Sequence, residues 1–259
     1  MTTLTAVRDA AFPSTATDRF YTRMAAVCLA VGVIGFAPTY WVPLLRGTLD
    51  VPPIAHIHAL FFYGWLLLLV RQSALAASGH YVRHRASGMV GIALASGMFF
   101  IGTATAINSL RDGIAAGFEA ASRAFAIVPI SGIVLFAILF ALAIARVRDT
   151  DVHKRLMLVN TAGLLQAAVG RWFVLFLAPP SAPGVAVSPP PVFVTVMPAL
   201  VVDLLIVAGM VYDYRTRGRI HRVYWIAGAV TLAVQVLRVP LSQTTAWLQA
   251  THWLLAVAP

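Results

Sequence analysis

Cysteine is nearly absent from this chain: Cys28 stands alone among 259 residues. A lone thiol excludes an intramolecular disulfide and a thiolate metal cluster. Lysine is equally scarce, with Lys154 the only one, and charged residues of all kinds make up 11%, where a soluble domain carries about 25%. Acidic side chains are few, 9 against 19 basic ones, and Asp203 is the only one deep within an apolar run. That scarcity argues against a di-metal carboxylate centre and against a pump built on paired carboxylates. The chain contains no H-E-x-x-H zinc helix, no phosphate loop and no nucleophile elbow. Its first twenty residues lack the apolar core and small-residue cleavage site of a signal peptide, so the first span is expected to stay as an uncleaved anchor.

What the chain has in quantity is apolar surface. It is 60% hydrophobic, with a mean hydropathy of +0.84. Such a composition needs lipid as its solvent, and continuous apolar runs point to helices rather than to an alternating barrel. Seven runs reach the length that crosses about 30 Å of hydrocarbon, near 24–44, 55–78, 87–109, 124–145, 156–178, 191–212 and 223–243. The expected fold is an all-α, polytopic seven-helix bundle over 24–243. It is preceded by a polar segment, 1–23, and followed by an interfacial segment, 244–259, that carries Trp247, His252 and Trp253.

The net charge of +10 does not indicate nucleic acid, because the arginines punctuate the spans and form no continuous stripe. Arg46, Arg111 and Arg123 fall on one side, Arg71, Arg171 and Arg238 fall within spans, and the remaining thirteen basic residues fall on the other side. The positive-inside rule then expects a bacterial inner-membrane protein with its N-terminus in the cytoplasm and its C-terminus outside. His84-Arg85, His153-Lys154 and His221-Arg222 each open an odd-numbered span on the basic side, at separations of 69 and 68 residues. Two readings fit this spacing: a repeated unit of two antiparallel helices, or a basic anchor needed at each such turn.

His56 and His58 cannot act together, since residues two apart on a helix point about 200° apart. His58 shares a stripe with Phe61, Phe62, Trp65 and Gln72, which makes it the inward candidate, about 6 Å below the outer boundary. Arg171 and Arg238 each lie fifteen residues into their spans, about 22 Å from the cytoplasmic boundary and level with His58. Asp203 sits nearer the midplane. Two buried arginines against one aspartate leave a positive charge that an anion would match: a carboxylate, a phosphate, a lipid headgroup or a haem propionate. Snorkelling of either arginine to the outer headgroups is the plain alternative. Helical phase also places His153, Asn160 and Arg171 on one face, and His221, Gly228, Gln235, Arg238 and Ser242 on another.

The segments "HIHALFFYGWLLLL", "HYVRHRASGMVG" and "DTDVHKRLMLVNTAGLLQAAVGRW" together resemble an uncharacterised family of bacterial multi-pass membrane proteins. The family pattern falls here on His58, His84-Arg85 with Gly88, His153-Lys154-Arg155 with Met157, and Arg171, over roughly residues 50 to 175. Lys154 stands where the pattern has arginine. The resemblance implies a topology and no activity. The chain is also loosely similar to membrane b-type cytochromes, though it lacks their paired mid-span histidines. That departure argues against two stacked haems, and the common depth of His58, Arg171 and Arg238 motivates a first reading: one b-type haem near the outer face, with His58 as an axial ligand, Met197 or His252 as candidates for the second, and Arg171 and Arg238 on the propionates. A second reading makes His58, Trp65, Arg171, Asp203, Gln235 and Arg238 a site for a small anion or a lipid. A third makes the chain an assembly subunit whose basic dipeptides meet anionic lipid or a membrane-protein partner.

Overall fold

The computed structural model describes residues 16–177 and 187–257. Most of the expected N-terminal polar segment lies outside them. Among the described residues there are seven helices long and apolar enough to span a membrane: α1 (Arg19–Leu45), α2 (Pro53–Ala77), α3 (Tyr81–Ala115), α4 (Glu119–Ala145), α5 (Thr150–Leu177), α6 (Val192–Arg217) and α7 (Arg222–Leu241). A shorter helix, α8 (Thr245–Val257), follows. No strand occurs among the described residues. The chain is therefore an all-α seven-span bundle and a multi-pass membrane protein.

Local chemistry sets the boundaries. Pro53 opens α2 at a position where its missing N–H has no intrahelical partner to lose. The Asp149 carboxylate caps α5 by accepting from the Val152 N–H at 3.2 Å. Gly218 ends α6 at φ 68°, a left-handed conformation that suits glycine, and its N–H reaches the Tyr214 carbonyl at 2.9 Å. Interruptions have causes too. Pro129 has no N–H for the Phe125 carbonyl, and α4 breaks at Ala126 between Glu119–Phe125 and Ile127–Ala145. Pro38 lies in a wide π turn, Ala37–Trp41, within α1. The break in α5, between Thr150–Leu164 and Gln166–Leu177, contains no proline.

Helix α5 is the hub of the bundle, in contact with α1, α4, α6 and α7. It is also the least apolar of the seven spans, with a hydropathy of 1.2. The two facts are one: a helix surrounded by protein can carry polar side chains that lipid would reject. Val159, Thr161 and Ala162 on it are fully buried, whereas Leu60 of α2 and Phe100 of α3 are more than two-thirds exposed, as lipid-facing positions should be. Gly35 lets α1 approach closely, since a Cβ there would stand 2.5 Å from that of Ala168 on α5. Trp65 belongs to this core. It is 2% exposed, it meets Phe136 and Phe140 edge to face, and its indole N–H donates to the Thr161 hydroxyl at 3.2 Å. Its polar atom is taken up in joining α2 to α5.

The basic end of the bundle holds the strongest polar contact. Arg155 is completely buried and grips Asp213 of α6 with two N–H groups, Nε at 2.8 Å and Nη2 at 2.5 Å. Its remaining Nη1 donates to the carboxylate and backbone carbonyl of Asp151, at 2.9 and 2.7 Å. Asp151 also receives Lys154 and Arg217. Read from sequence as one more topogenic charge, Arg155 is instead an internal fastener.

Two of the recurrent histidines share a job. His84 Nδ1–H donates to the Gln72 carbonyl at 3.1 Å, and His153 Nδ1–H to the Ala143 carbonyl at 2.9 Å. Each thus latches the start of an odd-numbered helix onto the end of the helix before it. His221 differs, capping its own helix by accepting from the Val223 N–H at 3.3 Å. Burial, with Arg155 adding to it, holds the His221 imidazole below its ordinary pKa, in the neutral form this cap requires. The neighbouring Arg85 and Arg222 are exposed and remain plain anchors.

Removing the carboxylate by Asp213→Ala leaves a fully buried guanidinium short of its main partner. The expected loss is about 3–5 kcal/mol in reversible unfolding from detergent micelles, with much of it recovered in the apolar double variant Arg155→Met/Asp213→Leu. A loss below about 1 kcal/mol would show that Arg155 finds water or other acceptors.

Candidate functional site

The polar residues expected deep in the membrane separate into two groups. The first lies where α1, α2 and α5 meet at the end opposite the basic one. There His58 stacks on Phe62 at 4.0 Å, and its buried Nδ1 has no hydrogen-bond partner. The Arg171 guanidinium lies over the Phe36 ring at 3.9 Å, donates to its own helix at the Ala167 carbonyl, and bears electrostatically on His58. Tyr63 donates to the Gly32 carbonyl and accepts from Trp41, while the Tyr40 hydroxyl and His56 Nδ1 lie 2.9 Å apart. The common depth of His58 and Arg171 is thus a real neighbourhood.

Arg238 belongs to the second group, which is built around α5, α6 and α7. It is 3% exposed. Its Nη1 donates to Gln166 Oε1 at 2.9 Å, and its Nη2 to the Thr195 hydroxyl and carbonyl at 2.9 and 3.2 Å. Gln235, one turn earlier on α7, donates to Asp203 at 3.2 Å. Arg238 and Asp203 also attract one another. Arg238, Asp203 and Gln235 are therefore together, and Arg171, expected level with Arg238, stands apart from them.

This second group borders a cavity lined by Gly132 and Leu135 of α4, Asn160, Gly163 and Gln166 of α5, and Thr231, Gln235 and Arg238 of α7, among others. The space open to the centre of a water-sized sphere is about 20 Å³, which admits one or two waters or a solute of a few atoms. Four buried polar atoms of its lining have no partner: Asn160 Nδ2 and Oδ1, Gln235 Oε1 and Arg238 Nε. An unpaired buried polar atom costs about 1–3 kcal/mol, so four around one space call for an occupant. They offer donors (Arg238 Nε–H and an amide N–H) beside acceptors (two amide oxygens).

The backbone contributes as well. The break in α5 falls between the cavity residues Gly163 and Gln166, fifteen residues into a 28-residue span and so near mid-membrane. The interruption is one tight turn at Leu165, whose N–H reaches the Ala162 carbonyl at 2.9 Å and whose carbonyl receives the Ala168 and Val169 N–H groups at 3.0 and 3.1 Å. Interruptions at such depth are tolerated where they line a cavity. Helix α6 likewise enters through a 3₁₀ turn, Val192–Thr195, whose Thr195 carbonyl receives Arg238. Gly132 and Gly163 preserve the space, because a Cβ at either would meet no atom within 4 Å. Sequence reasoning placed Asn160 on a polar seam but passed over Gln166, Thr195 and the two glycines. The signal for Gln166 was its place in the least apolar span.

The remaining sequence candidates are scattered. Met197 is 57% exposed on α6, and His252 is exposed on α8. Helix α2, which carries His58, packs on α1 and α3, whereas α6 packs on α5 and α7, and α8 on α3 and α4. Each of the three candidate haem ligands thus sits in a different neighbourhood. Helix α8 is held by Arg123, which donates to Thr251 at 2.9 Å and accepts Trp247 Nε1–H on its carbonyl at 2.8 Å. No protein-family model, curated protein or solved structure matches the chain.

Gly163→Ala and Gly132→Ala place methyl groups into open space within helices. Each is expected to leave stability unchanged or raise it by up to about 1 kcal/mol, the helix preference of alanine over glycine. A fall in the melting temperature of either variant would mean that the space is already filled by protein.

Proposed function

We propose that this chain is a membrane protein of the transport class that binds a small, uncharged polar solute in the cavity beside the broken α5. Four unpaired buried polar atoms, on residues that line one cavity, carry this reading. Their mixture of donors and acceptors suits a molecule with both, such as a small amide. Asp203 lies within electrostatic reach of Arg238, and Arg171 lies in the other group, so a small anion would meet one guanidinium here beside an acidic side chain, where two converging arginines would suit it better. The arginine bias sets the basic end in the cytoplasm of a bacterial inner membrane, which places the cavity in the middle to outer part of the bilayer. The resemblance to an uncharacterised multi-pass family agrees with this topology.

A single b-type haem draws its support from His58 alone, through the unpaired Nδ1. Arg238 is engaged by Gln166 and Thr195, and the candidates for a second ligand lie elsewhere, so the solute site is the better supported reading. A Soret band after haem-replete expression would reverse this order.

Osmotic light scattering on proteoliposomes tests the solute reading. Formamide or urea should enter several times faster than into protein-free liposomes, and Gly163→Val, which fills the cavity, should remove the difference. Equal rates for all solutes would sink the proposal, and acceleration of formate or nitrate alone would overturn the uncharged class.

A further inference from the structure

We propose that the groove between α1 and α2 at the basic end binds the phosphate of an anionic phospholipid. The groove has a volume of about 330 Å³ and is lined by Arg19, Thr22 and Arg23 of α1 and by Ala74, Ala77 and Ser78 at the end of α2. It is remote from the solute cavity and shares no residue with it.

Arg19, Thr22 and Arg23 occupy one face of α1, at the i, i+3, i+4 spacing. The register is fixed by the opposite face: Phe20 stacks on Tyr212 at 3.8 Å, and the Tyr21 hydroxyl lies 3.2 Å from that of Tyr224. With those rings committed to α6 and α7, the two arginines are held over the end of α2. Both are exposed, and neither guanidinium has a hydrogen bond or an ion pair with any described residue. Two guanidinium groups four residues apart on a helix can take one phosphate between them, through charge-assisted hydrogen bonds.

The position identifies the source of that phosphate. Arg19 lies in the first turn of the N-terminal helix, Ala16–Phe36, and Ser78 follows the last residue of α2, so both stand at the level of one leaflet's headgroups. Below the arginines, Ala74 and Ala77 form a wall of small apolar side chains against which a glycerol backbone and the start of an acyl chain can lie. A basic recess between spans with an apolar floor is the form that anionic headgroups occupy, and free phosphate would gain nothing from the floor.

The test is native mass spectrometry of the whole protein released from nanodiscs of phosphatidylglycerol and phosphatidylcholine. The protein should retain phosphatidylglycerol in preference to phosphatidylcholine, and Arg19→Gln/Arg23→Gln should lower that preference about thirtyfold, as expected for losing two charges near the membrane surface. Arg146→Gln/Arg148→Gln, an exposed pair at the same end, should change it less than about twofold. Ala74→Trp, which fills the groove and keeps both charges, should also lower retention and serves if the arginine variant folds poorly. Equal effects of the two arginine pairs would mean general surface attraction and would overturn the proposal. So would displacement of the lipid by equimolar inorganic phosphate, which would identify a site for the free ion.

Discussion

Hydrocarbon offers no hydrogen bonds, and that constraint governs which residues of this chain can sit where. Any buried polar group must find its partner within the protein or in something the protein encloses. The bundle meets the requirement at the basic end with protein alone. Arg155 spends all three of its nitrogens on Asp213 and Asp151, and the same carboxylates tie in Lys154, Arg217 and the His221 backbone. The network joins α5, α6 and the start of α7, and Tyr21 brings in α1 through Tyr224. The histidine latches at His84 and His153 secure the two preceding helix pairs.

Further along the same helices the accounting is incomplete. Arg238 donates to Gln166 and Thr195 but keeps Nε unpaired, and Asn160 and Gln235 add three more unpaired atoms around one space. The glycines that keep the space open and the proline-free break in α5 lie at the same depth. A bundle could have filled this region with leucine, as it does on its lipid face. Polar side chains retained around a space, two of them in the least apolar span, support the proposal that this group binds something other than protein.

Much of this was legible beforehand, because the strongest constraint acts on one span at a time. Run length gave seven helices, and helix rise put His58 level with both Arg171 and Arg238, with Asp203 nearer the midplane; of the two arginines only Arg171 lies beside His58. Pairing between helices was not legible. Arg155 looked like an anchor because it stands in a basic cluster beside a turn, and its partner Asp213 is distant in sequence. Trp65 shares the His58 stripe, yet two turns of depth separate a half-buried rim from a sealed core. Arg171 and Arg238 lie equally deep in the expected spans, but α5 begins earlier than expected, so they stand 21 and 16 residues beyond the first residues of α5 and α7, and the arrangement of helices around α5 sends one to the Phe36 ring and the other inward. The 69- and 68-residue spacing of the histidines matched a shared role at two of three sites. The third site, His221, caps instead because the α6–α7 turn is closed by Asp213.

The account depends most on the cavity being an occupied polar site within the bundle. A high-resolution density map of the protein in lipid nanodiscs examines that directly. The predicted result is ordered non-protein density within hydrogen-bonding distance of Arg238 Nε, Asn160 and Gln235 Oε1, beside an interrupted α5. A continuous α5 with Asn160 and Gln235 bonded to one another, and no density between them, would contradict it.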